Sequence, residues 1–130
     1  MPVDAAFELE LTEIDADERP EFLQSMGYSG SALHRLLRES YALLDLITFF
    51  TIGKDEVRAW AIRRGTTARE AAGTIHSDMA RGFIRARVVP FETWKDCPDA
   101  TKLRASGSLG LEGKEYAVRD GDIIEIRFSV

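Results

Sequence analysis

Residues 57–91 change hydrophobic period twice, and that constrains the fold more than any other feature. Val57–Ile62 reads as a strand, the second of a pair with Leu46–Thr51, which is rich in β-branched and aromatic residues. Thr67 and Glu70 then stand at capping-box spacing, so a helix starts there. Its apolar stripe is Ala68, Ala71, Ala72, Ile75 and Met79, and the small side chains let it lie close to a sheet. Gly82 breaks the helix. Residues 83–91 return to strand period, and Pro90 ends that strand.

Flanking segments supply the sheet that such a helix must cross. Leu46–Thr51 reads as a strand, Gly53-Lys54-Asp55 as a turn, and the pair with 57–62 as a hairpin ended by Gly65. Residues 92–108 read as polar and irregular, with a helical turn near 101–105. Glu112-Gly113-Lys114 turns between two short strands, and Asp120-Gly121-Asp122 turns into the last one. In that strand Ile124, Ile126, Phe128 and Val130 face one way, and Glu125, Arg127 and Ser129 the other. The order β-β-α-β-β-β is that of an α+β fold of the β-grasp, or ubiquitin-like, type: a five-stranded mixed sheet with one crossing helix.

Before residue 46 the period is mostly helical. Residues 5–11 are the exception: Ala5, Phe7, Leu9 and Leu11 alternate with polar or small residues. That predicts a strand, with a short helix as the alternative. Asp15 and Asp17 can cap a helix over 18–26, where Pro20 is tolerated because first-turn amides have no intrahelical partner. Phe22, Leu23 and Met26 form its apolar side, and Gly27 stops it. Ser31 caps the next helix, whose stripe is Leu33, Leu37, Tyr41 and Leu44. Together they form a short helical hairpin.

Charge divides the chain at the same point. Residues 1–45 hold three basic and ten acidic side chains, a net of −7; residues 46–130 hold fourteen and twelve, a net of +2. The expected organisation is therefore an acidic N-terminal segment with the hairpin over 1–45 and the β-grasp domain over 46–130. Seven arginines stand between 58 and 88 against Glu70 and Asp78, a local +5 in a chain of net −5. Arg63, Arg64, Arg69, Arg81, Arg85 and Arg87 are the candidate RNA-binding residues, because a guanidinium grips phosphate and stacks on bases. Arg85 and Arg87 alternate with Ile84, Ala86 and Val88, so both are expected to point off the core. Arg63 and Arg64 should join them on one surface, with Arg69 and Arg81 flanking it. A solvated sheet face is the plain alternative. Trp60, Phe83, Phe91 and Trp94 offer stacking surfaces, with core packing as the alternative for Trp60 and Phe83.

Several chemistries lack their residues. The nearest approach to a phosphate loop is Ser108-Leu109-Gly110-Leu111-Glu112-Gly113-Lys114-Glu115, which has Ser at the first position and a repelling Glu at the last. It reads as a hairpin turn. Two histidines and one cysteine give no metal constellation of the usual spacing, and no catalytic triad is visible, so no catalytic, metal or cofactor residue is assigned. His76 reads as a half-buried packing residue, Cys97 as an inert surface thiol, and Asp120 and Asp122 as turn formers. A lone cysteine, no secretory signal and no membrane-length apolar run fit the cytoplasm. A protein carrier would need a thin Gly-Gly tail, and Phe128-Ser129-Val130 is not one.

Four blocks carry a family resemblance: Leu46-Ile47-Thr48-Phe49-Phe50-Thr51; Glu56-Val57-Arg58-Ala59-Trp60 through Arg63-Arg64-Gly65-Thr66; Ala71-Ala72-Gly73-Thr74-Ile75-His76-Ser77-Asp78 followed by Gly82-Phe83-Ile84-Arg85-Ala86; and Glu112-Gly113-Lys114-Glu115-Tyr116 with Asp120-Gly121-Asp122-Ile123-Ile124. They resemble the C-terminal region of the YchF family, the Obg-like ATPases. The resemblance is strong over 46–130, moderate over 17–45 and weak over 1–16, which look like the end of a nucleotide-binding domain. It implies a TGS domain of β-grasp fold. It also implies a parent protein with a P-loop domain that binds ATP or GTP and associates with ribosomes. The function expected here is a non-enzymatic module that binds RNA or the ribosome, without DNA sequence specificity. The alternative is a protein-interaction or regulatory domain that docks on a nucleotide domain or a partner protein.

Overall fold

The structure is a computed structural model that describes residues 3–53 and 56–129. It divides into two compact units, Met1–Leu44 and Asp45–Val130.

The first unit holds three helices, α1 (Ala5–Glu13), α2 (Arg19–Ser25) and α3 (Ala32–Leu43). The strand expected over 5–11 is a helix instead. Asp4 explains it: its carboxylate accepts from the Ala6 and Phe7 amides and caps the first turn. Phe7 and Leu11, four apart, then face inward, whereas Leu9 is 66% exposed. The Phe7 ring lies 4.9 Å from Tyr28 and 5.9 Å from Phe22. Glu8 ties α1 to the start of α3, accepting from the Ser31 hydroxyl and the Ala32 amide, each at 2.6 Å. The Ser31 bond is the main reason its carboxyl sits below the ordinary range. Gly27, at φ 77°, closes α2 with paired bonds from the Gly27 and Tyr28 amides to the Gln24 and Leu23 carbonyls.

The second unit is one five-stranded sheet of order β2-β1-β5-β3-β4. Its strands are β1 (Leu46–Ile52), β2 (Val57–Arg63), β3 (Phe83–Pro90), β4 (Gly110–Glu112) and β5 (Asp122–Phe128). The central pair β1–β5 is parallel and the other pairs are antiparallel, as a β-grasp requires. In the β1–β2 turn the Gly53 amide bonds the Glu56 carbonyl at 2.8 Å; Lys54 and Asp55 lie outside the described residues. The second short strand expected after Gly113 reduces to a single bridge between Ala117 and Thr67.

Helix α4 (Ala68–Ile75) starts at the expected capping box and presses fully buried Ala68, Ala71 and Ala72 onto the sheet. It does not continue to Met79. His76 adopts an extended backbone and restarts the chain as α5 (Ser77–Arg81), its Nδ1 accepting from the Asp78 amide at 3.1 Å. His76 is therefore an exposed helix cap, not a packing residue. Under α4 the first core layer gathers Ile47, Phe49, Ile62, Ala86, Val88 and Ile124.

A second layer occupies the opposite sheet face, where the sequence suggested an irregular stretch with one helical turn near 101–105; that turn is present, and a second helix precedes it. Helices α6 (Phe91–Asp96) and α7 (Ala100–Ala105) pack there, the latter capped by Asp99. Leu103 meets Val89 and Ile123, with Trp94, Leu109 and Cys97 against them. Cys97 is thus half-buried in a core and not a surface thiol. Phe91 starts α6 and does not extend β3. Asp122 does more than form a turn: it is buried, and its Oδ2 accepts from the Tyr116 hydroxyl and the Arg119 amide, both at 2.9 Å. Burial and then the Asp122 bond push the Tyr116 hydroxyl up to about 12. Phe128, expected inward, is 38% exposed at the end of the sheet; Val130 lies outside the described residues.

Candidate nucleic-acid interface

Strand register assigns each arginine a face. Phe49 and Trp60 oppose one another in the α4 layer, so the alternate positions Leu46, Thr48 and Phe50 of β1 and Ala61 and Arg63 of β2 lie on the second face. On β3, Ala86 and Val88 join the α4 layer, whereas Val89 joins the second. Arg85 and Arg87 share the second face, off the α4 core. Across β5, Arg85 stands opposite Arg127 and Arg87 opposite Glu125.

The six candidate arginines do not converge on one spot. Arg63 lies opposite Leu46, four residues before Phe50, while Arg127 lies four residues beyond Ile123, the partner of Phe50. At about 3.3 Å per residue, Arg63 and Arg85 sit roughly 26 Å apart along the strands. Arg64 donates to Asp45 at 3.1 Å beside Arg63. Arg69 and Arg81 belong to the helices over the other face. Arg69 donates to the Ala80 carbonyl at 3.1 Å, and Arg81 pairs with Asp78 at 2.6 Å.

Carboxylates occupy several of these guanidiniums. Arg58 pairs with Glu56 at 2.9 Å and lies 5.1 Å from the Trp60 ring centre. Arg87 pairs with Glu125 at 3.1 Å and keeps only 21% of its side chain exposed. Among the described residues Arg63, Arg85 and Arg127 have no such partner, and all three are exposed. Arg127 escaped the sequence reading, which set it on the outward side of its strand. Its neighbour Arg85 appears only once β3 and β5 are paired.

The stacking candidates separate as well. Trp60 is half-buried against Phe49, with its Nε1 donating to the Thr51 hydroxyl at 3.0 Å. Phe83 packs on the same layer and Trp94 on the second. Phe91 alone of the four is exposed, its ring 6.1 Å from Phe50. Helices α6 and α7 cover the second face at the Val89–Ile123 end only. The Arg85–Arg127 end stays open, edged by exposed Leu111, which pairs with Arg87.

Among the described residues no helix is long and apolar enough to cross a membrane. The family model YchF-GTPase_C, described as a protein of unknown function (DUF933), matches residues 46–129. The chain is 45% identical over all 130 residues to the "Ribosome-binding ATPase YchF" of Haemophilus influenzae, covering 36% of that protein. It is 43% identical over 129 residues to the rat "Obg-like ATPase 1", covering 32% of it. The solved structure of the Schizosaccharomyces pombe YchF GTPase superposes with TM-score 0.86 at 35% identity, over 98% of this chain and 33% of that one. A GTP-binding protein from Pyrococcus horikoshii shares the fold, with TM-score 0.64 at 19% identity over 98% of this chain and 37% of that one. The chain thus spans about a third of the length of the curated relatives it matches, and the match includes residues 1–16, where the motif resemblance is weak. With its matched domain, its β-grasp sheet and these relatives together, the chain belongs to the YchF family and corresponds to the family's C-terminal region.

Proposed function

We propose that this chain is the non-enzymatic TGS module of a YchF-type nucleotide-binding protein, works in the cytoplasm, and binds RNA or the ribosome. The observation that carries the reading is the open end of the second sheet face. There Arg85 and Arg127 stand without a carboxylate partner among the described residues, next to the Arg87–Glu125 pair, in a chain of net charge −5. A basic face concentrated against the overall charge suits a phosphate-rich partner. The relatives' name, "Ribosome-binding ATPase", points the same way. Arg63 and Arg64 form a second contact region at the far end of the sheet, and Arg69 and Arg81 a third on the helices. The absence of an enzymatic role is supported by the fate of the phosphate-loop-like stretch. It leaves α7, enters β4 and turns, whereas a phosphate loop must lead from a strand into a helix. Residues 1–45 we read as the junction with a nucleotide-binding domain. The test is co-sedimentation of the chain with purified ribosomes. Retention in the ribosome pellet at low salt and release at high salt is expected; a chain that stays in the supernatant at low salt overturns the reading.

A second reading, docking on protein, draws on α3. Its stripe of Leu33, Leu37, Tyr41 and Leu44 is exposed within its own unit, and contiguous apolar surface marks contact sites. Leu37→Lys should abolish binding to a protein partner and leave ribosome binding unchanged.

A further inference from the structure

We propose that Arg85 and Arg127 act as a joint clamp on the phosphodiester backbone of single-stranded RNA, an inference that rests on the RNA-binding reading above. Two like charges directly opposite on neighbouring strands repel, and such pairs destabilise a sheet. The next pair along shows the relieved arrangement: Arg87 faces Glu125, and its Nη1 reaches both carboxylate oxygens at 3.3 and 3.1 Å. Arg85 and Arg127 face one another, and among the described residues neither has a carboxylate partner; the nearest along the strands, Glu125, is held by Arg87. The pairing is also irregular at this point. The β3–β5 register shifts between Phe83 and Arg85, and a shift of this kind, where it is a bulge, re-aims a side chain.

Helices α6 and α7 stop short of the pair, so both heads stand in solvent. Leu111 and Ile84, both exposed, give the patch an aliphatic border. An anion between the two guanidiniums removes their repulsion, so binding and relief of that repulsion coincide there. Planar forks on adjacent strands can each grip one of two successive phosphates. Glu125, held by Arg87, stands one row away and limits how far a polyanion extends across the sheet.

Stability and binding respond in opposite directions at this pair, which provides the test. The probe is oligouridylate, titrated against the full chain over a salt series. Arg127→Glu should pair with Arg85 as Glu125 does with Arg87. It is expected to raise the melting temperature while weakening oligouridylate binding at least tenfold. Arg85→Ala with Arg127→Ala should leave the fold intact and reduce the log–log salt slope by about 1.4, since each phosphate neutralised on a single strand adds about 0.7 to it. Arg63→Ala with Arg64→Ala, at the far end of the sheet, should change the affinity less than the clamp variants do. If the unaltered chain binds and the clamp variants bind equally well with the same slope, the clamp is wrong and the RNA reading stands. If the unaltered chain fails to bind at low salt, the RNA reading itself falls. A lower melting temperature in Arg127→Glu overturns the argument from repulsion.

Discussion

Replacing Ile124 with Ala should cost the second unit about 3–4 kcal/mol. Ile124 is 1% exposed in the parallel centre of the sheet and packs among Phe49, Val88 and the alanines of α4. The change removes three buried carbons, about 2.4 kcal/mol at about 0.8 kcal/mol per methylene. The cavity adds the remainder, because a layer pinned between sheet and helix collapses poorly. Phe128→Ala removes a larger side chain, but one that is 38% exposed at the sheet's end, so about 1–1.5 kcal/mol is expected. Ile123→Ala probes the second layer and should cost about 2–3 kcal/mol. Urea unfolding followed by tryptophan fluorescence is the assay: Trp60 and Trp94 both lie in the second unit, so it reports that unit alone. A loss for Phe128→Ala equal to that for Ile124→Ala would refute the placement of the core. A negligible loss for Ile123→Ala would refute the second layer.

Other outcomes follow from local geometry. A Cβ at residue 82 runs into the Ser129 carbonyl, so Gly82→Ala should destabilise the sheet by roughly 1–3 kcal/mol in the same assay. Tyr116 is raised from 10.0 to about 12 in the folded chain. Its contribution to stability is therefore complete below pH 10 and declines as pH rises toward 12. An ultraviolet titration should show one tyrosine ionising late, and Tyr116→Phe should remove that step. Glu8 is lowered in the folded state, so its contribution is present above the unfolded carboxyl value and is lost as pH falls through the folded one. The Ala32 amide resonance should follow this titration with a midpoint below 4.5; a midpoint above it would contradict the Glu8–Ser31 tie.

Where one local signal dominates, the sequence sufficed. Thr67 and Glu70 start a helix because the capping box is complete within four residues, and the alternation of β1 and β2 needs no outside partner to be read. Residues 5–11 mislead because Asp4, one position upstream, decides between strand and helix through two amide bonds that alternation does not register. The second core layer escapes a sequence reading because α6 and α7 are six residues each, too short for a period to show. What marks it is the Asp99 cap and isolated apolar residues, Trp94 and Leu103, in a polar stretch. At the site, the outward side of Arg85 and Arg87 is legible from alternation. The separation of Arg63 from them, the neutralisation of Arg87 by Glu125 and the pairing of Arg85 with Arg127 all depend on register between strands distant in sequence. Single-strand patterns do not carry that register.

If the basic end of the sheet recruits RNA, as proposed, the chain should bind it through phosphate contacts. Equilibrium binding of the 130-residue chain to a ribosomal RNA fragment, measured across a salt series, tests this most directly. With about three phosphates neutralised, by Arg63, Arg85 and Arg127, the log–log slope should lie near −2, at about 0.7 per phosphate on a single strand. No binding at the lowest salt, or affinity independent of salt, would rule out RNA as the partner of the sheet face and turn attention to the exposed face of α3.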